Sequence, residues 1–156
     1  MPIPNRALVL VVDGRKMLFF RNEGDTNQID LRTEAHEERD DANHDGDLKT
    51  DAPGSSANSV GSARSSMEET DFKQQEEDNW VKDVAEKLRL RALKGDFEHL
   101  CIVAPPKALG VLRKELHKEV EKRVVCTINK EMSGRPIPDI EALIVNHTKA
   151  EEPADV

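Results

Sequence analysis

Asp13 closes an apolar run just before Gly14, and Glu76, Glu77 and Glu86 fall within one long predicted helix. Clustered carboxylates at strand ends and on a neighbouring helix can hold two divalent metals against a scissile phosphate. In such a site the end of the fourth predicted strand should supply another carboxylate, but the chain there reads Ala104-Pro105-Pro106. An acidic helix start is ordinary, and Asp-Gly is the dipeptide of a tight type I′ hairpin turn. Asp13 is therefore read as the hairpin residue, and no bound metal is expected.

Other chemistries fail on spacing. The stretch "GSSANSVGSAR" is rich in Gly and Ser, yet it matches neither GxxxxGK[ST] nor GxGxxG, and no apolar strand precedes it. His36 and His44 lie in an acidic stretch, and His99, His117 and His147 are dispersed, so no pair has ligand spacing. Ser55, Ser56, Ser62, Ser65 and Ser66 have neither a base partner nor a nucleophile-elbow context. Cys101 and Cys126 each sit inside an apolar run without a CxxC pattern, which reads as two buried reduced thiols. No catalytic residue and no cofactor are expected.

The elements that would position these residues read clearly outside one stretch. "ALVLVV" and "KMLFF" flank Asp13-Gly14 as two strands of a hairpin, and Ile29 and Leu31 alternate with polar neighbours as a third. From residue 35 to residue 66 the periodicity vanishes, and this acidic, Gly- and Ser-containing stretch reads as a long loop. A helix follows, with Val81, Val84, Ala85, Leu88 and Ala92 on one stripe, acidic residues at its start, basic ones at its end and Gly95 as its stop. Phe72 and Trp80 are assigned to its buried side. "HLCIVAPP" is a fourth strand, and Leu109, Leu112, Leu116 and Val120 repeat at helical spacing behind Pro106. "RVVCTI" is a fifth strand, and a short third helix turns Ile140 and Ile144 inward.

The order β-β-β-α-β-α-β-α predicts an α/β fold with a mixed five-stranded sheet, the element order of ribonuclease-H-like and translation-machinery domains. Residues 1–148 form one expected domain and residues 149–156 a frayed tail.

Charge and composition narrow the partners. Of the 156 residues, 3% are aromatic, which argues against base-stacking platforms for single strands. The net charge of −8 conceals an acidic block, residues 22–81, with 17 acidic and 5 basic residues. Residues 82–135 carry 13 basic and 8 acidic residues, and Lys107, Arg113, Lys114, Lys118, Lys122 and Arg123 make up a candidate basic face. The N-terminal apolar run is too short for a secretory signal, and nothing approaches membrane-spanning length, so the expectation is a cytoplasmic protein without membrane insertion.

The segments "GSARSSMEETDFKQQEEDNWVKDVAEKL", "DFEHLCIVAPPKALGVLRKELHKEV" and "PIPDIEAL" strongly resemble the bacterial host-attachment protein family. That family is in turn similar, more distantly, to the middle domain of eukaryotic and archaeal class-one translation release factors. In those proteins a long loop carries a Gly-Gly-Gln tip that positions water at the peptidyl-tRNA ester. Here Gly61, Ser62, Ala63 and Arg64 stand in the corresponding place, and the chain contains no Gly-Gly-Gln. The resemblance thus implies the scaffold and a binding loop without the release chemistry. It implies a noncatalytic module for the ribosome, tRNA or a translation-linked protein, acting on host attachment indirectly. The alternatives are a regulatory domain that controls cell-surface components without nucleic acid, and a hydrolase.

Overall fold

The computed structural model describes the backbone of residues 3–39 and 58–151, and the side chains of residues 3–39 and 71–148. Strands β1 (Leu8–Val12), β2 (Lys16–Asn22) and β3 (Leu31–Glu38) are followed by α1 (Asn58–Leu93), β4 (Leu100–Ala104), α2 (Pro106–Glu115) and α3 (Lys118–Glu121). Strand β5 (Val124–Asn129) and helix α4 (Ile137–Glu151) are the last described elements, and α4 carries residues 149–151 of the expected frayed tail in helix. The sheet is mixed, in the order β3-β2-β1-β4-β5; β1, β2 and β3 pair antiparallel, whereas β4 runs parallel to both β1 and β5.

Alternation along the central strands sorts side chains between two apolar layers. Leu8, Leu10 and Val12 of β1, with Leu100 and Ile102 of β4, face α1, α2 and α3. Val9 and Val11, with Cys101, Val103, Cys126 and Ile128, face Ile140 and Ile144 of α4. Both faces of β1 and β4 are covered, so these strands read as unbroken apolar runs instead of alternating ones. The α1 stripe of Val81, Val84, Ala85, Leu88 and Ala92 is fully buried, as its spacing requires.

Helix α1 ends in a Schellman motif: Gly95, at φ +71°, donates to Ala92 O and Asp96 N donates to Arg91 O. That turn places Asp96 beside the buried guanidinium of Arg21. Arg21 Nε and Nη2 donate to Glu34 at 2.9 and 3.2 Å, Nη2 reaches Asp96 Oδ2 at 3.1 Å, and Nη1 donates to the carbonyls of Arg6 and Asp96. Arg91 lies 4.7 Å over the Phe19 ring and shares both acids. Glu34 can reach inward because the ladder skips it: Phe19 pairs with Ala35 and Phe20 with Thr33.

Several expected boundaries move. Residues 35–38 continue β3 and residues 58–66 belong to α1, so both ends of the expected 35–66 loop lie in regular structure; residues 40–57, with His44, lie outside the described residues. Because α1 begins at Asn58, its first turn carries no acid, and the acidic run lies further along the helix. Phe72 is 64% exposed rather than buried, and Trp80 is half-buried. The expected helix through Val120 breaks at Leu116, which turns extended, and His117 then caps α3 by accepting from Glu119 N at 3.0 Å. The hairpin forms where expected but not as a type I′ turn, which needs left-handed central residues; Gly14 is not left-handed. Instead Asp13 Oδ1 accepts from Arg15 N and Lys16 N, both at 2.7 Å, and thereby shapes the turn.

Candidate functional site: a cleft and a cationic helix face

Parallel strands that end together leave a crevice beyond their carboxyl ends, where α/β sheets bind ligands. Here β1, β4 and β5 end around a cleft of about 570 Å³. The β1–β2 hairpin supplies Asp13, Gly14 and Arg15, and the β4–α2 junction supplies Pro105 through Ala108. Glu131 follows β5, and α1 closes the side with Gln74, Glu77, Asp78 and Val81. Helix and hairpin meet closely: a Cβ on Gly14 would stand 2.7 Å from Glu77 Cγ. Glycine here serves the close approach rather than its backbone angles, and any larger residue would have to push the Glu77 side chain aside.

The carboxylates of this cleft are already engaged. Asp13 Oδ1 holds the two turn amides, and Asp13 Oδ2 accepts the hydroxyl of Ser133, which also lies 2.6 Å from Glu131 Oε1. Burial pushes the Asp13 carboxyl up, but the Ser133 hydroxyl and the Arg15 and Lys16 amides outweigh it and hold the group below its ordinary range. A carboxylate so stabilised stays charged at neutral pH and is a poor general acid or base. Among the described residues no three His, Cys, Asp or Glu side chains converge to hold a metal ion. Glu131, Ser133, Gln74 and Asp78 carried no signal of their own in the sequence. Ser133 meets Asp13 across 120 residues, and only its position just past a strand end could have pointed to it.

The candidate basic face resolves into free and committed cations. On α2, Ala108, Leu109 and Leu112 are buried, while Lys107, Gly110, Arg113 and Lys114 face outward. Lys107 Nζ reaches Gln74 Oε1 at 3.4 Å, at the mouth of the cleft. Lys118 and Lys122 are exposed on and beside α3, with Lys122 paired to Glu119 at 2.9 Å. Arg123 does not join them: it donates to Phe97 O at 3.0 Å and to Glu119, and lies over the Phe97 ring, bracing α3 against the start of β4. Two neighbouring cations hold Glu119 below its ordinary range. Gly61, Ser62, Ala63 and Arg64 fall on the helical backbone near the start of α1, and their side chains lie outside the described residues.

No described helix is long and apolar enough to cross a membrane. A family model described as bacterial archaeo-eukaryotic release factor family 12 matches residues 6–144, nearly the whole of the described fold. No curated protein matches the chain.

Proposed function

We propose a function from the premise that this chain belongs to the bacterial archaeo-eukaryotic release factor family 12: it is a noncatalytic cytoplasmic module that binds the ribosome, or a tRNA or protein engaged with it. The observation that carries this reading is the run of exposed cations along α2 and α3, Lys107, Arg113, Lys114, Lys118 and Lys122, on a release-factor scaffold. Within an acidic protein such a local patch directs polyanions to one face. Gly61, Ser62, Ala63 and Arg64, at the corresponding place to the release-factor tip, are the proposed second contact. The absence of Gly-Gly-Gln from the chain, and the commitment of Asp13 to its turn, favour binding over hydrolysis. Any effect on host attachment would follow from translation of surface components.

Purified protein should cosediment with ribosomes at low salt and dissociate steeply as salt rises, because each phosphate contact releases counterions. Absence from ribosomal fractions at low salt would remove the reading. The acidic block of residues 22–81 favours a second one, a regulatory domain that binds a basic protein partner and no nucleic acid. A pull-down that returned such a partner from nuclease-treated lysate, with no ribosomal RNA bound, would select it.

A further inference from the structure

Gly110 sits in the middle of α2, and nothing in the fold requires a glycine there. A Cβ built on it meets no atom within 4 Å, and its backbone is not left-handed. A helix-interior glycine is unfavourable relative to alanine, so its presence at an open, exposed position calls for a reason outside the fold. Its neighbours supply one. Lys107 lies three residues before it and Lys114 four after it, on one outward stripe, with Arg113 alongside. Arg113, Lys114 and Lys118 make no ion pair among the described residues. The acids nearby do not close this stripe: Glu115 stands at the last turn of α2, and Glu119 is already held by Lys122 and Arg123.

We infer that the outer face of α2 is a docking surface for the phosphodiester backbone of RNA. Gly110 provides the close approach, and Lys107, Arg113 and Lys114 flank it as phosphate contacts. A bare helix surface lets a ribose-phosphate strand lie against the backbone, where any side chain would hold it away. This inference rests on the ribosome-binding reading and adds the surface and the chemistry it recognises.

The test uses the full chain with purified ribosomes and with a fluorescently labelled duplex RNA. Gly110→Ala should raise Tm by about 2–3 °C and weaken RNA binding about threefold. Gly110→Glu should fold, by circular dichroism, and bind about tenfold more weakly. The Lys107→Ala/Lys114→Ala pair should lower the slope of log K against log salt by about 2. Wild-type binding left unchanged by Gly110→Glu would overturn this surface alone, and a lower Tm for Gly110→Ala would make the glycine structural and overturn it equally. Competition by polyglutamate as effective as competition by RNA would replace RNA with an acidic protein partner. Failure of the wild-type chain to bind either probe would instead overturn the reading beneath it.

Discussion

Replacing Arg21 with methionine removes the cation at the centre of the amino-terminal end of the sheet while keeping most of its volume. The side chain is 3% exposed and makes contacts with two carboxylates and two carbonyls. Stripping one partner from a buried ion pair typically costs about 3–5 kcal/mol, because the other charge is left uncompensated. The loss here should sit toward the lower end of that range or just beneath it, since Arg91 still holds Glu34 at 2.7 Å and Asp96 at 2.8 Å, and both acids retain some water. About 2–4 kcal/mol is expected, a large fraction of the stability of an ordinary domain. The lone tryptophan, Trp80 on α1, reports packing of that helix, so urea titrations followed by its fluorescence give the value directly. Arg6→Ala, which breaks only the exposed Arg6–Glu23 pair, should cost under about 0.5 kcal/mol and serves as the control.

The same experiment has a pH arm. Burial raises the Glu34 carboxyl, but its bonds to Arg21 and Arg91 prevail and hold it below its ordinary 4.5. A depressed folded-state value means its contribution is complete above the unfolded value and disappears as pH falls through the folded one. The gap between wild type and Arg21→Met should therefore be constant from pH 7 to about pH 5 and narrow in stronger acid. A loss below about 1 kcal/mol at pH 7, or a gap that widens in acid, would refute the network as a stabilising tie.

Three further outcomes follow from the geometry. Gly95→Ala forces an alanine into a left-handed conformation with open space around it, so only backbone strain is added, about 1 kcal/mol and a Tm lower by about 2–4 °C. Gly14→Val should cost about 1–2 kcal/mol through its collision with Glu77, and Glu77→Ala in the same chain should recover most of it; no recovery would mean the strain lies in the hairpin. Asp13→Ala removes the acceptor for two turn amides and should cost about 1–2 kcal/mol. Because the Asp13 carboxyl is held below its ordinary 3.8, that difference should shrink as pH falls well below this value, leaving only what the neutral carboxyl still accepts.

What was legible in the sequence is what the two buried layers dictate. The apolar runs of β1 and β4 and the 81–92 stripe mark buried elements, so the element order and much of the core follow from pattern, whereas the order of strands across the sheet does not. The sequence pattern stops β3 short of Ala35 because it is an edge strand. Its residues Arg32 through Glu34 and His36 through Glu38 are not buried, so the ladder to β2 holds it with no apolar alternation to announce it. The start of α1 is hidden because residues 58–66 offer only Val60 and Ala63 as apolar side chains, too few to mark a face, and the break at Leu116 because His117 ends one helix by capping the next. Of the cleft, Asp13 was visible as a turn residue, but its partners come from the far end of the chain. Local pattern cannot report a meeting that only the β4–β5 crossover creates.

The division of the cations carries the functional argument furthest. Arg21, Arg91 and Arg123 are turned inward, where the planar guanidinium can satisfy several acceptors at once and stack on Phe19 or Phe97. Of the five cations on the outer face of α2 and α3, four are lysines, Lys107, Lys114, Lys118 and Lys122, with Arg113 the exception. Lysine is a flexible point charge that neutralises phosphate without fixing orientation, whereas bidentate arginine reads base edges. A lysine face beside a bare glycine is suited to tracking a backbone and poorly suited to choosing a sequence. Affinity for duplexes of different sequence should accordingly agree within about threefold at fixed salt, since phosphate contacts position without specifying.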